Sequence, residues 1–357
     1  MVTTTTSPPT NSQYLISNTS ITMILSKSRT QPTPEANPCS KKGIPKMDVE
    51  IGTYTPELGP EIETLQKKYI AAHPRGTKFV SKELYDRHPA LEQGKNVFCA
   101  SAPDRGLVGY GALIPTPAEP DSPRGTPNTI WIHIRVDPEA SDFKAIRQAI
   151  YDRILEKSLA YSRAWQGRAT RLAISYPDSL PEEIAFFASQ GLERFEALLQ
   201  MTRDLSRPTQ ALALPAGIVV RHWSMETEPE KMAYLAVEAA IFPHSPRTME
   251  ELEFYMQSWQ GGTPIAAFDA QGNVVGSLMA YWYGRRNGVT EDIFVVPQWR
   301  RRGIARYLIT AGISYLAAHG IETAWLEVRE SNEPAVNLYR SLGYEIANRE
   351  VQLGIVL

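Results

Sequence analysis

The same order of segments occurs twice along this chain. Phe186–Glu193 (FFASQGLE) aligns with Leu338–Glu345 (LYRSLGYE) at an offset of 152 residues. Val136-Asp137-Pro138 aligns with Val295-Val296-Pro297 at 159, and Leu107–Ala112 (LVGYGA) with Val274–Met279 (VVGSLM) at 167. The order is kept while the offset drifts by 15 residues, as small loop insertions produce. A chain of this kind must build two similar units, one after the other. The join is expected in Ser206–Ala216 (SRPTQALALPA), a proline-punctuated linker.

A different kind of sequence precedes the repeat. Of residues 1–46, sixteen are Ser or Thr, six are Pro, five are basic and one is acidic. Such a stretch cannot bury enough apolar surface to offset its ordering entropy. It is expected to be a disordered leader, and both a transit peptide and a start at Met47 stay open. The expected division is a leader (1–46), a first unit (47–205), a linker (206–216) and a second unit (217–357). Lys and Arg total 37 against 39 Asp and Glu, a net charge of −2, so the chain lacks the basic footprint of a nucleic-acid or membrane-surface binder. No apolar run nears the roughly 18 residues of a membrane span. Only Cys39 and Cys99 occur, too few for a disulfide framework or a zinc module, and the six histidines fall at no metal-ligand spacing. The expectation is a cytoplasmic protein with no metal, no nucleic-acid partner and no membrane partner. Composition leaves the oligomeric state open.

The second unit reads as mixed α and β. Helices are expected over Pro229–Phe242 and Met249–Gln260, and strands over Ile265–Asp269, Val274–Tyr283 and Val289–Val296, with turn residues between them. A long helix follows from Gly303 to His319, capped by Gly320 and apolar at Ile304, Leu308, Ala311, Tyr315 and Ala318. A strand at Thr323–Arg329 leads to a short helix with Asn332 as N-cap and Pro334 in its first turn, ended by Gly343. A last strand closes the chain.

The chemistry concentrates after the Val289–Val296 strand. Pro297-Gln298-Trp299-Arg300-Arg301-Arg302-Gly303-Ile304-Ala305 is a basic, glycine-containing turn that opens a helix. Such a turn aims several backbone N–H groups at one spot, at the positive end of a helix dipole. That is an anion site, and a diphosphate suits it. Gly303 admits a phosphate close to the backbone, Ala305 is small for the same reason, and the arginines add charge. A second motif, Asn332-x-x-Ala335-x-x-Leu338-Tyr339-x-x-x-Gly343-Tyr344, begins 29 residues beyond Gly303. Strand-Pro-RxxGxA-helix followed by NxxAxxLYxxxGY resembles the GNAT superfamily of acetyl-CoA-dependent N-acetyltransferases, over residues from about 217 to 357. Ala305 stands where glycine is commoner in that family.

The resemblance implies a set of roles. Main-chain groups of Phe294, Val295 and Val296 would pair with the pantetheine arm of acetyl-CoA as with an added strand. Backbone N–H groups of Arg301, Arg302, Gly303, Ile304, Ala305 and Arg306 would hold the pyrophosphate. Asn332 would contact the cofactor arm, and Tyr339 would reach the thioester sulfur. Attack of an amine on a thioester expels a thiolate, which a placed phenol can protonate as general acid. A base is needed too, because an alkyl amine of pKa near ~10 is neutral in only about one molecule per thousand at pH 7. Glu291 lies where the family often places a carboxylate. Its neighbour Asp292 should point to the opposite face by strand alternation. A water chain could serve instead of either. The family builds its acceptor wall from the first two helices and their connection, here Ile241–Arg247. Alternation in Tyr281-Trp282-Tyr283 should send Trp282 to one face and the tyrosines to the other.

The first unit departs from this pattern. No glycine occurs between Gly125 and Gly167, Asp137, Glu139 and Asp142 stand where a diphosphate would want positive charge, and Phe187 matches Tyr339. The expected fold is therefore two tandem GNAT-like domains, each a mixed, mostly antiparallel sheet flanked by helices, the first without cofactor chemistry. This arrangement is similar to that of mycothiol synthase-like acetyltransferases. The expected reaction is direct acetyl transfer from acetyl-CoA to a primary amine of a small molecule. No cysteine in the second unit offers an acyl-enzyme route. A peptide or protein amine as acceptor, and a non-catalytic acyl-CoA sensor, remain as alternatives.

Overall fold

A computed structural model describes residues 49–74, 89–118, 122, 124–209, 212–214, 216–242 and 247–357. The leader, residues 210, 211 and 215 of the linker, and Pro243–Pro246 of the acceptor connection lie outside these described residues. The first half runs β1 (Glu50–Thr53), α1 (Gly59–Ala72), β2 (Val97–Ala102), β3 (Gly106–Thr116), β4 (Asn128–Val136), α2 (Phe143–Ala164), β5 (Thr170–Pro177), α3 (Pro181–Ser189) and β6 (Glu193–Asp204). The second runs β7 (Val219–His222), α4 (Glu228–Ile241), α5 (Met249–Gln257), β8 (Gly261–Phe268), β9 (Val274–Trp282) and β10 (Asn287–Val295). It continues with α6 (Ile304–Ala318), β11 (Thr323–Arg329), α7 (Glu333–Ser341) and β12 (Glu345–Val356). The fold is mixed α/β, and the helix after the third of three consecutive strands recurs in each half.

Local sequence accounts for most boundaries. Thr227 with Glu230, and Thr248 with Glu251, form capping boxes that start α4 and α5. Helix α5 ends three residues short of Gln260. In α6 the buried stripe is Ile304, Leu308, Ile309, Gly312, Ile313 and Leu316. It is rotated from the expected Ile304, Leu308, Ala311, Tyr315 and Ala318, because Gly312 is the face that touches the sheet. A Cβ there would come within 2.7 Å of Leu278.

All twelve strands join in one sheet of order β1-β2-β3-β4-β5-β12-β6-β11-β10-β9-β8-β7. The halves are interlocked: β12 inserts between β5 and β6, and β6 inserts between β12 and β11. Pairing is antiparallel except in β4–β5 and β10–β11, and both parallel pairs are short. β4 meets β5 only over Asn128–Trp131, and β10 meets β11 only over Asn287–Val289. Beyond those residues each pair diverges and leaves a gap.

Helices cover both faces unequally. Helices α6 and α7 bury Ile304, Leu308, Val336 and Tyr339 against Leu199, Met201, Leu326 and Val328. Helices α2 and α3 bury Ile146, Ile150, Ile154 and Phe187 against Leu172, Ile174, Val351 and Leu353. Val351 stands opposite Ala197, which is in phase with Leu199 and Met201, so both clusters lie on one face. The other face carries α4 and α5 over Ala266, Met279, Tyr281, Val289 and Phe294, and α1 over Val97, Cys99 and Tyr110. No helix among the described residues is long and apolar enough to cross a membrane.

Residues 217–357 alone would keep β11 and β12 but lose β6, the strand between them. Expressed without the first half, this segment should be aggregated or much less protected from amide hydrogen exchange than in the full chain. A soluble monomer that melts with the full chain would contradict this dependence.

Candidate active site

The gap between β10 and β11 is where the expected site residues gather. β10 carries a bulge: Glu291 pairs with Met279 and Phe294 with Ser277, so one extra residue is inserted between them. Asp292 sits in the bulge with φ of 47°, in the left-handed region that Asp tolerates better than most residues. The bulge breaks the alternation, and Asp292 turns to the α4–α5 face beside Glu291 instead of away from it. The expectation of opposite faces is thereby corrected. Trp282 does face away from Tyr281, packing with α6 while Tyr281 packs with α5.

The two carboxylates are held differently. Tyr255 of α5 and Tyr281 of β9 both donate their hydroxyls to Oε2 of Glu291. Oε1 has no partner among the described residues. Asp292 accepts a fork from Arg247, with Nη2 to Oδ1 at 3.2 Å, and a hydrogen bond from the Tyr234 hydroxyl at 3.1 Å. The Arg247 guanidinium lies 4.7 Å from the Tyr255 ring centroid, which links the two carboxylates through one aromatic ring. Trp259 stacks on Tyr281 at 4.7 Å and backs the wall. Burial raises the Glu291 carboxyl above its ordinary 4.5, the charge of Asp292 adds to this, and the two tyrosine hydrogen bonds oppose it.

Tyr339 lies on the other face. It is 8% exposed, packs with Val295, Ile304 and Val328, and its hydroxyl has no hydrogen-bond partner among the described residues. Burial pushes it up to about 12, so it stays protonated at neutral pH. Tyr344 beside it bonds Thr290 of β10 at 2.9 Å, which ties this cluster to the gap. Asn332 caps α7, its Oδ1 accepting from the Ala335 N–H at 3.4 Å.

At the end of β10 the backbone is arranged for an anion. Pro297–Trp299 form a 3₁₀ turn, Arg301 and Gly303 take φ of 62° and 85°, and α6 starts at Ile304. The first helical bond comes from the Tyr307 N–H to the Gly303 carbonyl, at 3.0 Å. The N–H groups of Arg301, Arg302, Gly303, Ile304, Ala305 and Arg306 therefore have no protein acceptor among the described residues. A Cβ on Gly303 would meet nothing within 4 Å, so the space before it is open. Two arginine side chains are engaged elsewhere: Arg306 donates to Ser341 at 2.9 Å and Arg302 lies over the Trp299 ring at 4.6 Å. The Val296 N–H donates to Val275 at 2.9 Å, so Val296 and the in-phase Phe294 bond to β9. Val295 alone of the three expected pairing residues turns its main chain to the gap, where its carbonyl accepts from Nε of Arg300 at 2.9 Å.

The matching place in the first half is filled. Ile134, in the gap beside β5, donates its N–H to the Tyr176 hydroxyl at 3.0 Å and accepts from it at 2.9 Å. The tyrosine occupies the slot a ligand's amide would need. The turn before α2 satisfies itself: Ala140 N–H bonds the Asp137 carbonyl, Glu139 N–H bonds Oδ1 of Asp137, and Ala145 and Ile146 bond the Asp142 carbonyl, at 2.9–3.1 Å. Asp137 pairs with Lys68 and Asp142 with Arg105, both at 3.0 Å. The Tyr176 hydroxyl and the turn's own bonds thus occupy the place that is open in the second half, and Asp137 and Asp142 stand there as ion pairs. Phe187 is fully buried beside Tyr176.

The sequence profile of the Acetyltransferase (GNAT) family matches residues 223–344. The chain carries a GNAT acetyltransferase domain. Mycothiol acetyltransferase of Thermobispora bispora is 31% identical over 176 residues, 46% of this chain and 59% of that protein. The mycothiol acetyltransferase of Thermobifida fusca is 27% identical over 298 residues, 76% of this chain and 86% of that protein. Among solved structures, a GCN5-related N-acetyltransferase from Sphaerobacter thermophilus superposes with a TM-score of 0.63 at 19% identity, over 88% of this chain and 97% of that one. A tandem GNAT protein from the clavulanic acid biosynthesis pathway superposes at 0.62 and 18%, over 86% and 98%. The fold of the described residues is thus similar to that of a tandem GNAT protein.

In this GNAT domain Tyr255 and Tyr234 are residues that sequence patterning did not single out, and Arg247, expected in the acceptor wall, is instead bonded to Asp292. Arg247→Met should cost about 3 kcal/mol of stability, because it leaves Asp292 nearly buried without its counter-charge. Adding Asp292→Asn, which removes that charge, should recover most of the loss. Chemical denaturation of the single and double variants measures both, and additive losses would contradict the pairing.

Proposed function

We propose that the chain transfers the acetyl group of acetyl-CoA to a primary amine of a small molecule, by direct attack of the amine on the thioester. One observation carries this reading. A carboxylate with a free oxygen and a protonated phenol lie on opposite faces of the sheet, and the gap between β10 and β11 is the passage that joins them. The free N–H groups at Arg301–Arg306 stand at the end of that passage, on the side of α6. They suit a diphosphate, and Val295 and Asn332 line the way from there to Tyr339.

Each residue then has a defined task. Oε1 of Glu291 takes the proton of the ammonium, or of the amine as it attacks, while Tyr255 and Tyr281 keep Oε2 fixed. Burial raises the carboxyl towards the pH at which the base must work, which makes it a better proton acceptor when ionised. The C–S bond breaks as the C–N bond forms, and the Tyr339 hydroxyl donates to the departing sulfur. The names of the relatives support a small-molecule acceptor. Tyr255, Trp259 and Tyr281 supply an aromatic wall for it.

Calorimetric titration of the full chain with acetyl-CoA should give one site per chain, and Gly303→Glu should abolish it by placing a negative side chain in the open space before the cradle. Two equivalent sites, or unchanged affinity in the folded variant, would overturn the assignment.

Tyr339→Phe keeps the ring and its packing, so kcat should fall by ~10²–10⁴-fold with little change in KM for acetyl-CoA. Because Glu291 must be ionised to act, activity should be lost as pH falls, with the acid limb of kcat/KM lying above 4.5. Tyr281→Phe removes a donor that stabilises the carboxylate and should move that limb higher still. A limb at or below 4.5, or one unmoved by Tyr281→Phe, would count against Glu291 as the base.

A further inference from the structure

Arg329 ends β11 at the mouth of the gap. It is in phase with Trp325, which packs against the cluster beneath α4 and α5, so it faces the side on which Glu291 lies. Its side chain is partly buried, and it makes no ion pair, side-chain hydrogen bond or ring contact among the described residues. Burial depresses its pKa, and Glu196 is the carboxylate whose charge opposes that. Glu327 lies in phase two residues before it on β11, and three other nearby acids have partners of their own. Glu196 accepts from the Ala197 N–H at 2.9 Å, from the Ser331 N–H at 3.3 Å and from the Ser331 hydroxyl. Glu330 is held by Arg194 and, at 3.1 Å, by Arg349. Glu350 accepts from Ser175 at 3.0 Å.

A guanidinium withdrawn from water with no acceptor has an unmet need for an anion. Its planar fork matches a carboxylate through two parallel bonds. Val289 is in register with Trp325, so continuing the two strands sets Glu291 level with Glu327, across the gap. Arg329 lies two residues further on, about 7 Å along the strand. A proton acceptor with one free oxygen and a guanidinium with no hydrogen-bonded acceptor among the described residues thus flank the same side of one opening, at a spacing that an amino-acid-sized molecule bridges.

We propose that Arg329 binds a carboxylate of the acceptor, so that the amine substrate is a zwitterion with its ammonium at Glu291 and its anionic end on β11. This rests on the acetyl-transfer reading above. The side chain selects among amines and takes no part in the bond changes.

The test uses amino acids and their matching C-terminal amides, assayed with the full chain for thiol release from acetyl-CoA. The amide's amine is less basic, so more of it is neutral, and a preference for the acid cannot come from amine reactivity. Wild-type kcat/KM should favour the acids at least tenfold. Arg329→Gln should bring that ratio towards one, mainly through KM, and Arg329→Lys should keep part of it by retaining charge without the fork. Equal rates for acids and amides, turnover of the amides alone, or a ratio untouched by Arg329→Gln would overturn this inference and leave acetyl transfer standing. No turnover of either series by protein that binds acetyl-CoA and acetylates another small amine would likewise overturn this inference alone.

Discussion

Two parallel strands lying side by side share evenly spaced hydrogen bonds for as long as they stay together. β10 and β11 share them over Asn287–Val289 and then part. The inserted residue at Asp292 turns β10 while β11 continues straight along β6, its partner through Arg329. The rest of the site depends on that divergence. It turns the main chain of Val295 to the gap and opens a passage between the two faces.

The far wall of the gap is supplied by the other half of the protein. β6 pairs with β11 on one edge and β12 on the other, and β12 in turn is held by β5. The first half therefore supplies the strands on which the far wall of the gap rests. Its own gap shows the alternative outcome of the same architecture. Where the second half leaves six N–H groups unpaired, the turn before α2 pairs those of Glu139, Ala140, Phe143, Ala145 and Ile146 with its own carbonyls and the Asp137 side chain. Where the second half is open, Tyr176 bonds across to Ile134. The divergence of strands makes a slot, and local hydrogen bonding decides whether it stays available.

Around Glu291 the electrostatics follow from how few of the nearby charges are neutralised by one another. Arg247 is forked onto Asp292 and reaches Glu291 only through its charge, while the two tyrosine hydroxyls bond Glu291 directly. Hydroxyls compensate a buried charge less than a cation does, and the carboxyl stays raised. The salt bridge beside Glu291 brings in the charge of Asp292, which raises the carboxyl, together with that of Arg247, which lowers it.

The repeat was legible because three segment pairs keep their order, and the two motifs of the second half were legible because turn and cap chemistry is local. Gly303 is needed where φ is 85°, Asn332 caps α7, and Thr248 with Glu251 starts α5. These are decided by residues within a turn of one another, so a sequence states them outright. The strand interlock was not legible, since insertion of β12 beside β5 depends on pairing between residues such as Val351 and Tyr176 that lie far apart in the chain. Nor was the joining of Tyr255 to Glu291, or of Arg247 to Asp292, which requires α5 and the bulge to be packed together. Alternation gave the wrong face for Asp292 because a bulge suspends the two-residue period, and nothing in Glu291–Phe294 announces a bulge. Sequence alone determined where the glycine turn opens α6 and where Asn332 caps α7. Tertiary structure decided which of two similar gaps remained open, because only packing brings Tyr176 into one and leaves the other lined by Val295, Glu291 and Tyr339.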